Sequence, residues 1–347
     1  MTVRFLLALA VAAAVIGCTP ARAEEAFATA ARMGRGINIL GFDGIWDGGT
    51  DAPFKRAYFR LIRNAGFSHV RINLHAFKYM DENHVVSPFV LGRLDWVIEE
   101  VVAAGLVPVL DQHNFTECQR DPDLCRVKLT AFWEQVAVRY AGRQPSLVFE
   151  ILNEPGGNMS TAQWNGLANS ILRLIRATNP GRTVIVAALN LDDVNTVEEL
   201  ELPEDDRNII VTIHYYKPMR FTHQGAVWNE EFGKKRGVKW GSAADRAALA
   251  ADLDRVASWA ARVRRPIYLG EFGVYEAADA RSRVAYLSFV TRQAERHGWP
   301  WAVWQFSHDF AIFDMDGGRW NRDLLDALVP PRSHGREGAQ GAPRIPR

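Results

Sequence analysis

Two glutamates that directly follow apolar segments have the chemistry of a catalytic pair. Glu154 stands between Asn153 and Pro155 after the apolar run 147–152, and Glu271 follows the run 266–270. Two carboxyl groups can cleave a glycosidic bond, because one protonates the leaving oxygen while the other attacks the sugar or supports its developing charge. Retention requires the carboxyls to be about 5 Å apart and inversion about 6.5 to 9.5 Å. The sequence leaves this distance open.

Other polar and aromatic side chains occupy equivalent places, at or just after the ends of further apolar runs. They are Arg71 and Asn73, His113 and Asn114, His214, Tyr215 and Tyr216, and Trp304 and Gln305. This recurrence differs from a scatter of polar residues over loops and helix surfaces. It predicts a fold that brings the ends of successive strands together around one site.

The elements that must position these residues alternate along the chain. Most of the strand-like runs are separated by apolar stripes at helical spacing, and the link between the fifth and sixth holds only a short, weak helical segment. The alternation predicts a single (β/α)8 barrel, with its site at the carboxyl ends of the strands. An open doubly wound sheet is the alternative, although no glycine-rich phosphate motif follows the first run. The runs, typical of strands covered on both faces, are 36–40, 69–74, 107–111, 147–152, 183–187, 209–214, 266–270 and 301–306.

Length and composition agree with one globular domain. The chain has 347 residues, 48% of them hydrophobic, and a formal net charge of +1. Barrels of this length commonly form one domain, which we place at residues 24–329, followed by a disordered tail at 330–347 that is rich in Pro, Gly and Arg. The near-neutral charge argues against nucleic acid as a partner. We expect a neutral sugar ligand, no cofactor, no metal and a monomer.

The first 23 residues are typical of a signal peptide. An apolar run at 5–17 is followed by a small-residue cleavage pattern that ends at Ala23, and the run is too short for a lasting membrane span. We therefore expect export to the periplasm or beyond, with Glu24 as the first mature residue. The segment before Cys18 also resembles the box at which bacterial lipoproteins are lipidated, although Pro20 follows closely.

Export changes the interpretation of the remaining cysteines. Cys118 and Cys125 lie seven residues apart in a polar stretch. In an oxidising compartment such a pair predicts a disulfide that closes a small loop. Free or metal-binding thiols are the alternative, but no nearby histidine would complete a zinc-like cluster.

Six motifs, which follow one another along the chain in the order that the family shows, resemble glycoside hydrolase family 5, the cellulase family of retaining (β/α)8 enzymes. The segment 148–155, which ends in Asn-Glu-Pro, is similar to the acid/base signature, and the segment 267–273 is similar to the nucleophile strand. The resemblance extends from about Arg35 to Trp304, and six ordered motifs are much more specific than one. The supporting matches are Val70-Arg71-Ile72, Asp111-Gln112-His113-Asn114, His214-Tyr215-Tyr216 and Trp304.

The resemblance implies a role for each of the two glutamates. Glu154 is expected to be the general acid/base, with a pKa high enough to carry a proton near neutrality. Glu271 is expected to be the ionised nucleophile, kept charged by Arg71 and by a hydrogen bond from Tyr216. The alternatives are a glutamate that simply ends a strand before a proline, and a buried structural acid paired with Arg71.

The other matched side chains are implied to bind the substrate. Asn153 should hold the sugar 2-hydroxyl, a contact that strengthens in the transition state. His113 and His214 should form hydrogen bonds in the subsite, with His214 also able to tune the acid, and satisfied core histidines are the alternative. Trp304 should lie under the sugar ring at the cleavage point. Asp111 is expected to brace its neighbours.

Most of the eleven tryptophans lie in helical stripes and are expected to pack in the core. Trp46, Trp228 and Trp240 lie instead in predicted strand-end loops, where aromatic faces can stack on sugars. The segment 221–228 resembles a loop of bacterial cellulase-like members. His223 and Trp228 are therefore candidates for contact with the substrate, with packing as the alternative.

The function that these features predict is an endo-acting β-1,4-glucanase that works by double displacement on a β-linked glucan. An exo-acting β-glucosidase, a transglycosylase and glycanases specific for mannan or β-1,3-glucan are alternatives within the family. A sugar-binding barrel without catalysis is disfavoured, because both carboxyls and their supporting groups are present. A metal-dependent barrel hydrolase is weaker still.

Overall fold

Eight parallel strands form a closed barrel in the part of the chain that the structure, a computed structural model, describes: residues 20–39, 45–48 and 52–331. Each strand pairs with its neighbours in chain order, and the eighth pairs with the first. The predicted (β/α)8 barrel is therefore confirmed. The strands are β1 Arg35–Ile39, β2 His69–Leu74, β3 Val107–Gln112, β4 Val148–Glu150, β5 Val184–Ala187, β6 Ile209–His214, β7 Ile267–Glu271 and β8 Trp301–Val303.

Two strands end two or three residues earlier than predicted, and both changes affect the mouth of the barrel. β4 ends at Glu150 and β8 at Val303, although the apolar runs continue to 152 and 306. The residues beyond these ends leave the regular ladder, so Glu154 and Trp304 stand on loops. The pairing of β6 with β7 also shifts register after Ile213, which places His214 opposite Glu271.

Helices cover the outside of the barrel. Two of them begin with capping boxes, Ser160 with Gln163 at α7 and Ser242 with Asp245 at α10, which satisfy free N–H groups of the first turn. The link between β5 and β6 holds only single turns, as predicted. The helices are α1 Pro20–Met33, α2 Ile45–Gly48, α3 Ala57–Asn64, α4 Pro88–Ala103, α5 Phe115–Arg120, α6 Pro122–Arg139, α7 Thr161–Thr178, α8 Leu189–Asp192, α9 Met219–Thr222, α10 Ala243–Val263, α11 Ala280–Arg296 and α12 Arg322–Leu328.

Most of the core lies in two layers. The larger one lies between the strands and the surrounding helices. The smaller one fills the lower end of the barrel, where His69 lies between the Met33 carbonyl at 2.7 Å and the Tyr268 hydroxyl at 3.0 Å. Gly36 leaves room for this imidazole, since a Cβ there would lie 2.1 Å from it. The apolar members of this lower layer are Ala26, Ala30, Met33, Val109, Val148, Ile185, Ile210, Tyr268 and Ala302.

The chain termini bear on the expectations about export. The signal peptide up to residue 19, with Cys18, lies outside the described residues, as does the predicted tail from 332 onward. Residues 20–23 begin α1. Within the described ranges, no helix combines the length and the apolar character that crossing a membrane requires.

The cysteine pair forms a disulfide between Cys118 on α5 and Cys125 on α6, so this prediction is confirmed. Both side chains are buried. The segment that they close also contacts the acid/base candidate, because Gln119 Nε2 donates to the Glu154 carbonyl oxygen at 2.9 Å. The disulfide therefore stiffens a loop at the mouth of the barrel.

We expect reduction of this disulfide to lower the free energy of unfolding by about 2 to 3 kcal/mol, the entropy of closing so short a loop in the unfolded chain. Urea denaturation with and without dithiothreitol measures the difference. A variant with both Cys118→Ala and Cys125→Ala is the control and should not respond to the reductant. Equal stability of the oxidised and reduced wild-type protein would contradict this account.

Candidate active site

Polar side chains from every strand of the barrel meet at its carboxyl end. This is the face at which (β/α)8 enzymes carry their active sites. The members that the following paragraphs use are Asn38 on β1, Arg71 and Asn73 on β2, Asp111 and His113 at β3, Glu150, Asn153 and Glu154 at β4, Asp192 after β5, His214 and Tyr216 at β6, Glu271 on β7 and Trp304 after β8.

Arg71 is the centre of the charge network and is fully buried. Its Nε and Nη2 donate to the two carboxylate oxygens of Glu150 at 2.8 and 2.9 Å, the two-pronged geometry that a guanidinium provides. Its Nη1 donates to Glu271 Oε1 at 2.6 Å. Nη2 also lies 3.1 Å from Asp111 Oδ2 and 2.8 Å from Asn153 Oδ1. One cation thus connects both predicted catalytic strands.

Burial dominates the ionisation of the acids around Arg71. It raises the pKa of Asp111, Glu150 and Glu271, and the positive charge of Arg71 opposes this increase at each of them. Burial alone would lower the pKa of Arg71, but the three carboxyls together raise it well above its ordinary value. Arg71 is therefore always charged, and the ionised forms of its neighbours depend on it.

Glu154 is held in an unusual backbone conformation, with φ at +45°. Its N–H donates to Asp192 Oδ2 at 3.0 Å, and its carbonyl oxygen accepts from Gln119. Its side chain is 16% exposed, and Oε1 lies 2.9 Å from His214 Nδ1. Burial raises the pKa of Glu154 to about 7. A glutamate in this environment carries a proton near neutrality and retains access to the cleft.

Glu271 is bound on both of its oxygens. Oε1 accepts from Arg71, and Oε2 accepts from the Tyr216 hydroxyl at 2.9 Å. Burial and the charge of Glu271 raise the pKa of Tyr216 well above its ordinary value, so this hydroxyl stays protonated and donates. Two donors on one buried carboxylate favour its ionised form, as a nucleophile requires.

The two glutamates face each other at short range. Carboxylate oxygens of Glu154 and Glu271 lie within 4.8 Å of one another, and the His214 imidazole lies within the same distance of both. Retaining glycosidases hold their two carboxyls about 5 to 5.5 Å apart, whereas inverting enzymes need room for a water between them. A separation of no more than 4.8 Å between these oxygens fits retention.

The same three side chains could in principle bind a metal ion through one donor atom each. Burial lowers the pKa of His214 to about 4, so its ring is neutral, as a metal ligand must be. However, a divalent cation at this position would stand beside the Arg71 guanidinium, which is 2.6 Å from Glu271. The repulsion between the two cations favours an acid pair over a metal site.

His113 and Trp304 form a flat wall at the mouth. Their rings are stacked, with centroids 5.5 Å apart and planes within 7°. Asp111 Oδ2 contacts His113 Nδ1 and accepts from Asn73 at 3.0 Å, so Asp111 does brace its neighbours. Trp304 remains partly exposed, and such an aromatic face suits the C–H surface of a sugar ring.

The loop after β6 places its two candidates differently. Trp228 is 56% exposed, and its Nε1 donates to Asp309 at 3.0 Å. His223 is only 6% exposed and packs against Tyr216 at a centroid distance of 5.0 Å, with Trp228 perpendicular to it at 5.5 Å. Trp228 therefore has a ring face open to a ligand. His223 is instead a packing residue that contacts the Tyr216 ring.

Two tryptophans assigned to strand-end loops must be corrected. Trp46 lies on α2 with only 3% of its surface exposed, and it packs in the outer core. Trp240 is also buried, against Tyr286 and Phe289. Trp240 lies in the loop before α10, as expected, and Trp46 lies in a single helical turn. Both rings turn inward because burial of so large an apolar surface is favourable. Neither can stack on a sugar in this arrangement.

Sequence reasoning missed three residues of the site. Glu150, the two-pronged partner of Arg71, had a usable signal, because a charged residue inside an apolar strand needs a buried partner. Asn38 accepts from Arg71 at 3.0 Å, and its Nδ2 donates to the Gly270 carbonyl at 3.0 Å. Asp192 follows β5 in a left-handed turn, for which the sequence has no comparable signal.

Comparison with known proteins gives one consistent result. The family model "Cellulase (glycosyl hydrolase family 5)" matches residues 30–309. Endoglucanase H of Acetivibrio thermocellus is 30% identical over 327 residues, which cover 90% of this chain and 34% of that protein. Cellodextrinase A of Ruminococcus flavefaciens is 26% identical over 278 residues, covering 76% of this chain and 82% of that one. The chain thus spans about a third of the length of Endoglucanase H.

Solved structures agree. Endoglucanase Cel5A from the hyperthermophilic Thermotoga maritima is 37% identical and superposes with a TM-score of 0.84, covering 88% of this chain and 100% of that one. The cellulose synthase subunit Z from Clostridioides difficile is 33% identical with a TM-score of 0.81, covering 86% and 99%. The resemblance carried by the six motifs is confirmed: this chain belongs to glycosyl hydrolase family 5, a family of glycoside hydrolases.

Proposed function

We propose that this protein is an endo-β-1,4-glucanase that retains configuration, with Glu271 as the nucleophile and Glu154 as the general acid/base. The observation that carries the proposal is the separation of their carboxylate oxygens, which lie within 4.8 Å. This distance lets one group reach the anomeric carbon while the other reaches the glycosidic oxygen.

In the first step, a carboxylate oxygen of Glu271 attacks the anomeric carbon, and the bond to the leaving oxygen breaks. Glu154 gives its proton to that oxygen, so the leaving chain departs as an alcohol. The product is a glycosyl ester on Glu271. Arg71 holds Oε1, and Tyr216 holds Oε2 until the ester forms.

In the second step, the ionised Glu154 takes a proton from water, and the water oxygen attacks the anomeric carbon. The ester bond breaks and Glu271 returns as a carboxylate. We assign Asn153 to the sugar 2-hydroxyl, because its Oδ1 accepts from Arg71 at 2.8 Å and its Nδ2 can donate to the sugar. Trp304 and His113 form the wall beside the ring.

Two carbohydrate classes are the first to test. Several relatives are named endoglucanases, which supports a β-1,4-glucan and internal cleavage. Structures of Thermotoga maritima Cel5A have been determined with cellobiose and with mannotriose. Mannan is therefore the second candidate substrate for this chain.

The pH dependence of kcat/KM should reveal the acid. Glu154 must be protonated in the first step, and burial raises its pKa to about 7. For a phenyl β-cellobioside, whose leaving group needs the proton, kcat/KM should therefore fall as the pH rises through about 7. A 2,4-dinitrophenyl β-cellobioside, whose leaving group departs without a proton, serves as the control. An identical alkaline limb for both substrates would argue against this assignment of the acid.

The function is tested with purified protein on carboxymethyl cellulose, β-mannan and laminarin, with product sizes followed over time. A mixture of oligosaccharides that appears early supports internal cleavage of β-1,4-glucan, and glucose as the sole early product would overturn it. Proton NMR of the first product must show the β anomer. Detection of the α anomer first would refute retention.

We also propose that the protein is exported, acts as a monomer and binds no nucleic acid. The N-terminal sequence pattern and the disulfide between Cys118 and Cys125 support export. Intact-mass analysis of the protein recovered outside the cytoplasm should find Glu24 at the amino terminus. An amino terminus at a lipid-modified Cys18 would contradict this cleavage site and would mean that the protein is anchored to a membrane.

A further inference from the structure

We propose that Asp192 is a positioning residue for Glu154, which it holds through the Glu154 amide and through the His214 imidazole. The inference rests on the proposed acid/base role of Glu154. Asp192 follows β5, far from both glutamates in sequence, and no part of the double-displacement chemistry described above uses it. Its side chain is fully buried beneath the mouth of the barrel.

Asp192 contacts the acid/base segment from two sides. Its Oδ2 accepts from the Glu154 N–H at 3.0 Å. The same oxygen lies 3.6 Å from His214 Nε2, while His214 Nδ1 lies 2.9 Å from Glu154 Oε1. Asp192, His214 and Glu154 therefore contact one another in a ring, which we call the Asp192 circuit. In it the Asp192 carboxyl faces both the Glu154 backbone and His214, the residue that contacts the Glu154 side chain.

Two buried polar atoms in this circuit are left unsatisfied. Asp192 Oδ1 and His214 Nε2 have no hydrogen-bond partner among the described residues. Buried polar atoms without partners are rare and costly. A shift of less than about 1 Å would bring the Asp192 carboxyl within hydrogen-bond distance of His214 Nε2. We assign this hydrogen bond to the active form of the enzyme.

The charges around Asp192 determine which atom carries the proton. Burial, then Glu154 and Glu150, raise the pKa of Asp192 well above its ordinary value, and Arg71 only partly opposes them. A neutral Asp192 has an O–H that can donate to His214 Nε2. Nδ1 then carries the imidazole proton and donates to Glu154 Oε1, which leaves the other Glu154 oxygen for the glycosidic bond.

The backbone around Asp192 supports the same conclusion. Asn190, Leu191 and Asp192 have φ of +48°, +67° and +57°, a run of left-handed residues without glycine. Such strain persists where the surroundings hold it in place, and it concentrates at functional sites. The turn packs on the segment after Glu154, since Leu191 N donates to the Pro155 carbonyl at 3.2 Å.

The decisive comparison is between Asp192→Ala, Asp192→Asn and the neighbouring control Asp193→Ala, whose side chain pairs with Lys217 at the surface. In D192N the amide oxygen can accept from the Glu154 N–H. The amide NH2, in place of the unpartnered Oδ1, can donate to Nε2 after a small shift of the side chain, so D192N should stay within about 3-fold of wild type. D192A should lower kcat/KM for phenyl β-cellobioside by about 10- to 100-fold, part of what general acid catalysis contributes. D193A should match wild type.

The leaving group separates positioning of the acid from general damage. For 2,4-dinitrophenyl β-cellobioside, which needs no proton, D192A should keep kcat/KM within about 3-fold of wild type. Equal losses on both substrates would overturn the proposal, as would a D192N variant as impaired as D192A. If wild type cleaves neither substrate, the proposed function fails instead.

A measurement without turnover completes the test. In protein labelled with ¹³C-glutamate, the Glu154 carboxyl signal, identified by its loss in Glu154→Gln, should titrate in D192N within about 0.5 pH unit of wild type. A larger displacement would mean that Asp192 acts through a negative charge, which contradicts the neutral donor proposed here. This readout also decides the matter if D192A does not fold.

Discussion

Replacing Glu271 with alanine should reduce the hydrolysis of cello-oligosaccharides by at least about 10⁴-fold, the scale seen when a covalent nucleophile is removed. The reason is geometric: a carboxylate oxygen of Glu271 lies within 4.8 Å of one of Glu154, across the site from the proposed acid. The side chain is also held on both oxygens, by Arg71 and Tyr216. Steady-state rates on cellotetraose measure the loss.

Azide distinguishes a lost nucleophile from a damaged site. In Glu271→Ala, azide can enter the space of the missing carboxylate and attack the anomeric carbon of 2,4-dinitrophenyl β-cellobioside, releasing dinitrophenolate. The expected product is the α-glycosyl azide, because only one displacement occurs. Glu134→Gln, a change on the exposed face of α6, should leave activity unaltered. Recovery of a β-glycosyl azide would place the nucleophile elsewhere.

Replacing Arg71 with methionine should lower the free energy of unfolding by about 3 to 5 kcal/mol, the cost of leaving buried charges without their partner. Arg71 contacts Asp111, Glu150 and Glu271, and all four side chains are buried. Without the guanidinium, these carboxylates would have to take up protons or repel each other. The loss should therefore be smaller at acid pH, and urea denaturation at pH 5 and pH 8 would measure it.

A surface arginine provides the matched control for Arg71. Arg262 pairs with Glu198 where both side chains are about 60% exposed, and such pairs contribute at most about 1 kcal/mol. Arg262→Met should therefore leave stability nearly unchanged. Arg71→Lys keeps the charge but not the two-pronged contact with Glu150, so it should recover more stability than activity. An Arg71→Met protein with the same free energy of unfolding as wild type would contradict the stabilising role of Arg71 in this charge network.

The barrel itself was predictable because its signals are local and repeated. Each strand is an apolar run of a few residues, each helix is an apolar stripe, and the order of the two leaves few alternatives. The ends of β4 and β8 were placed too late. Apolar composition continues past the last ladder residues, Glu150 and Val303, since the following residues are still buried although their backbone has turned away.

The site residues were predictable where the chemistry requires a particular residue type. They were not predictable where tertiary packing determines which way a side chain points. Glu154, Glu271, Arg71 and Tyr216 stand together as the motifs imply. Trp46 faces the core instead of the cleft, because the direction of a side chain in a short turn depends on tertiary contacts. In the sequence, Trp46 and Trp304 both stand near the end of a strand-like run. Only the fold shows that Trp304 lines the cleft and that Trp46 packs in the core.

Asp192 shows a second limit. Aspartate is an ordinary residue in a link between strands. The burial of Asp192 arises only when the turn after β5 meets the turn after β4. The left-handed backbone from Asn190 to Asp192 also depends on the contact between these two turns. Nothing in composition or periodicity distinguishes this residue from the neighbouring Asp193, which stays at the surface.

The helix at the lower end of the barrel has a consequence for the order of events during folding. Ala26 and Met33 of α1 belong to the same layer as Tyr268 of β7 and Ala302 of β8, so the first helix of the described chain packs with strands that are synthesised much later. Contacts so distant in sequence form slowly. Until β7 and β8 have been synthesised, the layer on which α1 packs is incomplete, and the barrel stays open. Such a delay suits the export that we propose, because an unclosed barrel can still be threaded through a membrane channel.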